Sequence, residues 1–214
     1  MAWRYDCIML QLQQGGWILV FLLLLTLYAA YVFFERYLAL RREKIGGERL
    51  MREVDASVRR GQIDVALEAA RAHGGTLGRF MLAGLARVPF GVTAVDAALK
   101  AALLEEESRL SRGLGVLSVT AQVAPLLGLL GTVSGMIRAF NVLASQGQTT
   151  AKLLAGGIGE ALFTTAAGLI VAIPALIAYH YLAGRVDDIL SELEQRREEL
   201  LGILAEVRNG EPQA

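Results

Sequence analysis

Uncharged apolar runs alternate with charged segments along the chain, and this pattern predicts its architecture. Three runs are long enough to cross a bilayer as helices, since about 20 helical residues span a hydrocarbon core of about 30 Å. They lie between Asp6 and Glu35, from Gly113 to Ile137, and from Ala161 to Gly184. The pattern therefore predicts an all-α integral membrane protein with three transmembrane helices.

Basic residues predict how these helices are oriented. Lys and Arg are frequent from Arg36 to Arg112 and recur after Gly184, whereas only Arg4, Arg138 and Lys152 lie elsewhere. By the positive-inside rule, the loop and the C-terminal tail are cytoplasmic and the N-terminus is outside. The predicted segments are an outer N-terminus (1–15), a first membrane helix (16–40), a cytoplasmic helical loop (41–112), a second membrane helix (113–144), an outer link (145–155), a third membrane helix (156–184) and a cytoplasmic helical tail (185–214).

The flanks of the membrane helices raise two questions. The first apolar run resembles a signal peptide in length, but its weak basic flank and the lack of a small-residue cleavage site favour a retained anchor. Residues 93–112 have helical composition without a breaker, so the second membrane helix is predicted to extend into the cytoplasm. The third is predicted to do likewise, because apolar residues after Gly184 follow a spacing of about 3.5. That tail is predicted either to pack against other helices or to remain a partly solvated amphipathic helix.

Composition and charge agree with a membrane protein and exclude several functions. The chain is 54% hydrophobic and 20% charged, with a mean hydropathy of +0.45. Its formal net charge is zero, which argues against nucleic-acid binding driven by a basic surface. The sequence contains no phosphate-binding loop, metal-ligand cluster or nucleophile–base arrangement, so it predicts no enzyme, cofactor or metal site.

The second run contains residues that weaken helices in water. They are Pro125, Gly128, Gly131 and Gly135, and Thr132 lies among them. In a membrane, small residues allow two helix backbones to approach closely, and neighbouring groups can satisfy the carbonyl that a proline leaves free. This helix is therefore predicted to carry a small, partly polar face that requires a partner.

The third run likewise contains helix-weakening residues and hydroxyls, namely Gly168, Pro174, Thr164 and Thr165. Counted from the cytoplasmic boundary, Thr132 and Thr165 are equally far along their helices, about 30 Å at 1.5 Å per residue. Antiparallel neighbours would bring both hydroxyls to a similar depth in the outer part of the membrane. Threonines in membrane helices also bond to their own backbone, and this structural role is an open alternative.

Glu160 also has two interpretations. A carboxylate within hydrocarbon is costly, so an acidic residue there is a candidate functional group. Because the residues from Ala161 onward span the bilayer without it, Glu160 could instead lie at the interface in the first helical turn, where the helix dipole favours an anion.

Two segments of the second and third runs resemble the ExbB/TolQ/MotA proton-channel family, and most closely its ExbB and TolQ branches. They are APLLGLLGTVSGMIRAF and GIGEALFTTAAGLIVAIPALIAYHYL. The match covers residues 121–183 in detail, and it departs from the common pattern at Ser134 and His180. The conserved pore hydroxyls of the family fall on Thr132 and Thr165, and its membrane glutamate falls on Glu160.

The resemblance implies a multi-pass protein of the bacterial inner membrane with a periplasmic N-terminus and a cytoplasmic C-terminus. It implies a homo-oligomer, a pentamer, that surrounds a single-span ExbD- or TolR-like partner and is embedded in membrane lipids. The partner supplies a membrane aspartate, and proton passage drives mechanical work. TonB-linked uptake, with a TonB-like protein as a further partner, is favoured, and Tol-type envelope maintenance is an alternative. A self-sufficient channel, a structural scaffold and a small-solute transporter are alternatives from other classes.

Overall fold

A computed structural model of the protein describes residues 16–43, 47–146 and 151–210. Within these ranges, the side chains at positions 16, 145, 146, 151–154, 160, 209 and 210 are not described. The predicted outer segment 1–15 lies outside the described residues, as do residues 147–150 of the predicted link. The described part of the chain forms helices and turns without a β-strand, which confirms the predicted all-α class.

The described residues form seven α-helices and one short 3-10 helix. In chain order they are α1 (Gly16–Arg42), α2 (Glu48–Arg59), α3 (Ile63–His73), α4 (Gly75–Leu85), the 3-10 helix (Val88–Phe90), α5 (Val92–Leu110), α6 (Leu114–Gln146) and α7 (Ala151–Gly210). Segments within α1, α6 and α7 are long and apolar enough to cross a membrane, which confirms three candidate membrane helices. The positions at which each helix enters and leaves the bilayer stay predictions.

These helices belong to two compact units. The first, here called the membrane unit, contains the described residues up to Arg36 together with Gly113–Tyr181. The second, here called the helical unit, contains Tyr37–Arg112 and the described residues from Leu182 onward. Helix α7 contributes residues to both units, as the predicted extension of the third membrane helix requires.

The core of the membrane unit joins large side chains of α1 to small side chains of α6 and α7. Ile18, Leu19 and Leu22 pack against Ala124 and Ala172, and all five are buried. Many large apolar side chains of this unit are exposed instead, and Ile170 is 71% exposed. Exposure of this kind is typical of surfaces that face lipid or another subunit.

The helical unit has an apolar core to which α2, α4, α5 and α7 each contribute. Its most buried members include Val54, Phe80, Leu99, Leu193 and Leu200. The apolar residues at the predicted spacing on α7 are therefore packed, with Val186 and Leu204 also buried. This burial confirms the packed interpretation of the tail over the solvated one.

Ion pairs connect the helices of this unit around its core. The Glu106 carboxylate, 7% exposed, accepts hydrogen bonds from Nε and Nη2 of Arg79 at 2.7 and 3.0 Å. The Asp96 carboxylate contacts Lys100 Nζ at 2.9 Å and accepts a hydrogen bond from Arg197 Nε at 2.8 Å. Hydrogen bonds from Lys100 and then Arg197 hold the pKa of Asp96 below its usual value.

A turn separates residues 93–112 from the second membrane helix, where a continuous extension was predicted. Helix α5 ends at Leu110, and α6 begins at Leu114 after a turn in which Gly113 has a φ of +83°. L-residues other than glycine rarely adopt this left-handed conformation, and a Cβ at Gly113 would lie 3.1 Å from Arg36 Nε. The predicted helix over 93–112 therefore forms as α5 and is not continuous with the second membrane helix.

Candidate functional site

Helices α6 and α7 pack against each other through a row of small residues, here called the small-residue seam. On α6 the seam consists of Ala124, Gly128, Gly131, Gly135 and Ala139, and on α7 of Gly157, Ala161, Thr164 and Gly168. Later residues of α6 lie opposite earlier residues of α7, since Gly128 is opposite Gly168 and Gly135 is opposite Ala161. The two helices are therefore antiparallel neighbours, as the predicted similar depth of Thr132 and Thr165 requires.

Glycine is required at the seam because the backbones approach so closely. A Cβ added at Gly168 would lie 2.5 Å from the carbonyl oxygen of Ala124, and one added at Gly128 would lie 2.9 Å from that of Thr164. A Cβ at Gly131 would lie 2.3 Å from Thr164 Oγ1. The partner that the glycine face of α6 requires is therefore α7 of the same chain, and Gly128, Gly131, Gly135 and Gly168 are packing residues.

The hydroxyls of the two threonines of α7 lie close to the same carbonyl of α6. Thr165 Oγ1 donates to the Gly128 oxygen at 3.1 Å, across the seam. Thr164 Oγ1, which is buried, donates to the Ala161 oxygen of its own helix at 2.7 Å and lies 3.3 Å from the Gly128 oxygen. A hydroxyl has one hydrogen, so Thr164 bonds chiefly to its own backbone and Thr165 links the two helices.

Thr132 is half-buried at the edge of the seam, at nearly the level of Thr165. Its Oγ1 donates to the Leu129 oxygen of its own helix at 2.7 Å. The hydroxyls of Thr132 and Thr165 thus bond to the carbonyls of two consecutive residues, Leu129 and Gly128. The similar depth predicted from their equal distance to the cytoplasmic boundary agrees with this geometry to within about one helical turn.

The remaining candidate residues occupy three different surroundings. Pro125 lies inside α6, next to Ala124 of the seam, and is half-buried. Pro174 lies inside α7 and lines a groove against α1, away from the seam. Glu160 lies in α7, but its side chain is outside the described residues, so its role stays a prediction.

The sequence pattern did not identify the Gly128 carbonyl as the group that joins the two helices. Small residues at positions 157, 161, 164 and 168 follow spacings of four, three and four, which is the signal of a packed helix face. That spacing could have identified α7 as the partner of the glycine face. Among the residues that the structure describes, no group of three or more His, Cys, Asp or Glu side chains is placed to hold a metal ion.

The two segments that form the seam are the ones that resemble the proton-channel family, and comparison with known proteins tests this resemblance. Residues 74–195 match the MotA/TolQ/ExbB proton channel family. A Synechocystis protein named ExbB-like 1 is 39% identical over 173 residues, which cover 79% of this chain and 68% of the relative. The ExbB biopolymer transport protein of Xanthomonas campestris is 36% identical over 135 residues, which cover 62% of this chain and 51% of the relative.

A relative from the other branch is similar to this chain to the same degree. The TolQ protein of the Tol-Pal system of Pseudomonas aeruginosa is 37% identical over 110 residues, which cover 51% of this chain and 48% of the relative. The chain thus spans about half the length of this TolQ and of the Xanthomonas ExbB. These matches confirm the resemblance, and the chain belongs to the MotA/TolQ/ExbB proton channel family, whose members are channel or transport-energising subunits and not enzymes.

Proposed function

We propose that this chain forms a ring in the bacterial inner membrane around the membrane helix of an ExbD- or TolR-like partner. Protons that pass between the ring and the partner drive mechanical work, which we assign to TonB-dependent transport across the outer membrane. The observation that carries the proposal is the seam, which fixes α6 and α7 as a pair with the Thr132 and Thr165 hydroxyls at one level.

The charges along the second and third membrane helices support a device with two components. Between Gly113 and Gly184 the sequence contains only Arg138, Lys152 and Glu160 as charged residues, all toward the outer side in the proposed orientation. A proton path through this chain alone would lack an acidic side chain near the middle of the membrane. An aspartate of the partner would provide that acidic group. Each proton that crosses 100 mV releases about 2.3 kcal/mol.

Tol-type envelope maintenance is the second candidate for the work performed. Relatives named TolQ and ExbB are 37% and 36% identical to this chain, so identity favours neither branch. The neighbouring gene offers a direct observation, since either system requires a short protein with one membrane helix that contains an aspartate. A TonB-like gene in the same neighbourhood supports the first candidate, and a Pal-like gene supports the second.

The first experiment measures the oligomer. Native mass spectrometry of the purified protein in mild detergent should show a homo-oligomer, which we propose is a pentamer with α6 and α7 around its central cavity. A monomer under these conditions, or an oligomer with Thr132 and Thr165 facing lipid, contradicts the proposal.

The second experiment tests the hydroxyls with variants that keep side-chain size. Thr132→Val and Thr165→Val should retain the oligomer while proton-dependent work falls sharply, because each removes one hydroxyl from the proposed pathway. Ser118→Ala is the matched control, since it removes a hydroxyl that lies on α6 outside the seam. Normal energy-dependent function in both valine variants would show that the threonines are only structural.

The third experiment separates the two-component device from a self-sufficient channel. Liposomes that contain this protein alone, under an imposed potential and pH gradient, should conduct few protons, whereas liposomes with the partner should conduct more. Glu160→Gln should impair the paired system without dispersing the oligomer, because the amide keeps size but cannot titrate. A robust current through the protein alone that Glu160→Gln abolishes would identify Glu160 as the proton carrier and refute the need for a partner.

A further inference from the structure

A groove of about 480 Å³ lies within the membrane unit, and the residues of α7 that line it follow the seam in the chain. All three long helices line it, through residues that include Ala29, Ala30 and Phe33 of α1, Leu117 of α6, and Pro174 and Tyr181 of α7. Its volume is in the range of ordinary ligand pockets, which is about 300–1,000 Å³. Thr132 and Thr165, the two residues of the proposed proton pathway whose side chains the structure describes, do not line this groove.

The two threonine hydroxyls that line the groove have no hydrogen available for a ligand. Thr26 Oγ1 donates to the Leu22 oxygen at 2.7 Å, and Thr120 Oγ1 donates to the Val116 oxygen at 2.8 Å. The other groove side chains named above are apolar apart from the tyrosine hydroxyl. The body of the groove therefore suits a hydrocarbon chain.

A cationic side chain lies just beyond the end of the groove. Arg36 is two residues after Phe34 on α1, and its Nε lies 3.1 Å from the Cβ position of Gly113, about one turn before Leu117. In the described part of the chain, Arg36 Nε is the buried side-chain polar atom without a hydrogen-bond partner. The Arg36 side chain is 20% exposed, and its Nη2 contacts Glu35 Oε1 at 3.3 Å.

This position matches the level of lipid headgroups. Glu35 and Arg36 are the first charged residues after the apolar run of α1, so they mark a membrane surface. From Thr26 to Phe34 the groove follows α1 for about 12 Å, which is close to half of a hydrocarbon core of about 30 Å. A groove of this length accommodates the acyl chain of one leaflet.

We infer that the membrane unit binds a glycerophospholipid, with one acyl chain in the groove and the phosphate on the Arg36 guanidinium. An arginine provides a planar set of donors that suits phosphate oxygens, and the phosphate competes with the exposed Glu35 carboxylate for them. The lipid fills the space between α1 and the α6–α7 pair. The inference does not depend on the proposed proton pathway.

Native mass spectrometry of the full-length protein, titrated with dioleoylphosphatidylglycerol or with dioleoylglycerol, tests both parts of the site. Ala30→Phe fills the groove and should abolish binding of both molecules, whereas Leu27→Phe adds bulk to an exposed position of α1 outside the groove and should bind them normally. Arg36→Gln should weaken phosphatidylglycerol binding about tenfold and leave dioleoylglycerol unchanged, because it removes a charged hydrogen-bond donor. Arg36→Lys keeps the charge and should lose less.

Photolabelling locates the lipid without relying on variants that could unfold. Phosphatidylglycerol with a diazirine at mid-chain should label the peptides of α1 and α7 that contain Ala30 and Ala178, both of which line the groove. Equal lipid binding by Ala30→Phe and Leu27→Phe, unchanged phosphatidylglycerol affinity in Arg36→Gln, or labels confined to other surfaces would each overturn the inference.

Discussion

Gly168 of α7 is the glycine whose replacement tests the small-residue seam most directly. In Gly168→Ala the new Cβ would lie 2.5 Å from the Ala124 carbonyl oxygen and 3.2 Å from Gly128 Cα, and both atoms belong to the backbone of α6. Ordinary contact begins at 3.4 Å, so the helices must separate by about 0.9 Å. No side-chain rotation relieves this clash, and the separation also weakens the hydrogen bond from Thr165 to Gly128.

The cost can be isolated with a second glycine of the same helix. Overpacking of this kind costs about 1–3 kcal/mol, against which alanine gains up to about 1 kcal/mol over glycine in helix propensity. A Cβ at Gly184 meets no atom of the described residues within 4 Å, so Gly184→Ala receives the propensity gain without the clash. The difference between the two variants therefore reports the packing term alone.

Thermal unfolding in mild detergent, followed by circular dichroism at 222 nm, measures this difference. For a chain of this length 1 kcal/mol corresponds to a shift in Tm of about 2–4 °C, so Gly168→Ala should melt about 2–12 °C below Gly184→Ala. If the two variants melt within about 1 °C of each other, the backbones of α6 and α7 are not in the close contact described above.

Three further predictions concern the helical unit. Arg79→Met should lower the free energy of unfolding by about 1–3 kcal/mol because the buried Glu106 carboxylate loses both hydrogen bonds from Arg79 and keeps only the longer contact with Arg109 Nη1 at 3.6 Å, and chemical denaturation should show that Arg79→Met/Glu106→Leu recovers part of the loss. The Asp96 carboxylate has a folded-state pKa below its unfolded value, so its stabilisation is complete above the unfolded pKa and lost as pH falls through the folded pKa. The stability difference between wild type and Asp96→Asn, measured by melting from pH 7 to pH 3, should therefore shrink below about pH 4, and a constant difference would refute the role of its cationic neighbours. Leu200→Ala should cost about 2–5 kcal/mol in the same denaturation assay because its side chain is fully buried, whereas Gly202→Ala, whose Cβ meets open space, should not destabilise the protein.

The membrane helices could be predicted from sequence because the bilayer requires a helix of a certain length with an apolar surface. Both requirements are visible as the length of an uncharged apolar run. The glycines at 128, 131 and 135 indicated a packed face for the same reason, since close approach in a membrane leaves few alternatives to small residues. The sequence did not identify which face met which. The pairing of the α6 face with the α7 face joins two segments about 30 residues apart in the sequence. Only the spacing of small residues on α7 indicates it.

Gly113 shows why the boundary of α6 was harder to predict. Glycine occurs both inside the membrane helices, as at Gly128, and in the left-handed turn before α6, and composition does not separate these uses. The turn depends on a tertiary contact, because Gly113 lies against Val32 and Arg36 of α1. The depth of Thr132 and Thr165, by contrast, required only a count of residues, and their geometry agrees with it.

The bonds made by Thr132 and Thr165 determine what these hydroxyls can offer to another molecule. Each hydroxyl hydrogen is directed at a backbone carbonyl, of Leu129 and Gly128 respectively, so the oxygen presents only its lone pairs. A neutral carboxylic acid or a hydronium ion can donate to such an oxygen, whereas an ionised carboxylate finds no donor there. While these two bonds hold, hydrogen-bond polarity alone would favour a protonated acid over an ionised one beside either hydroxyl.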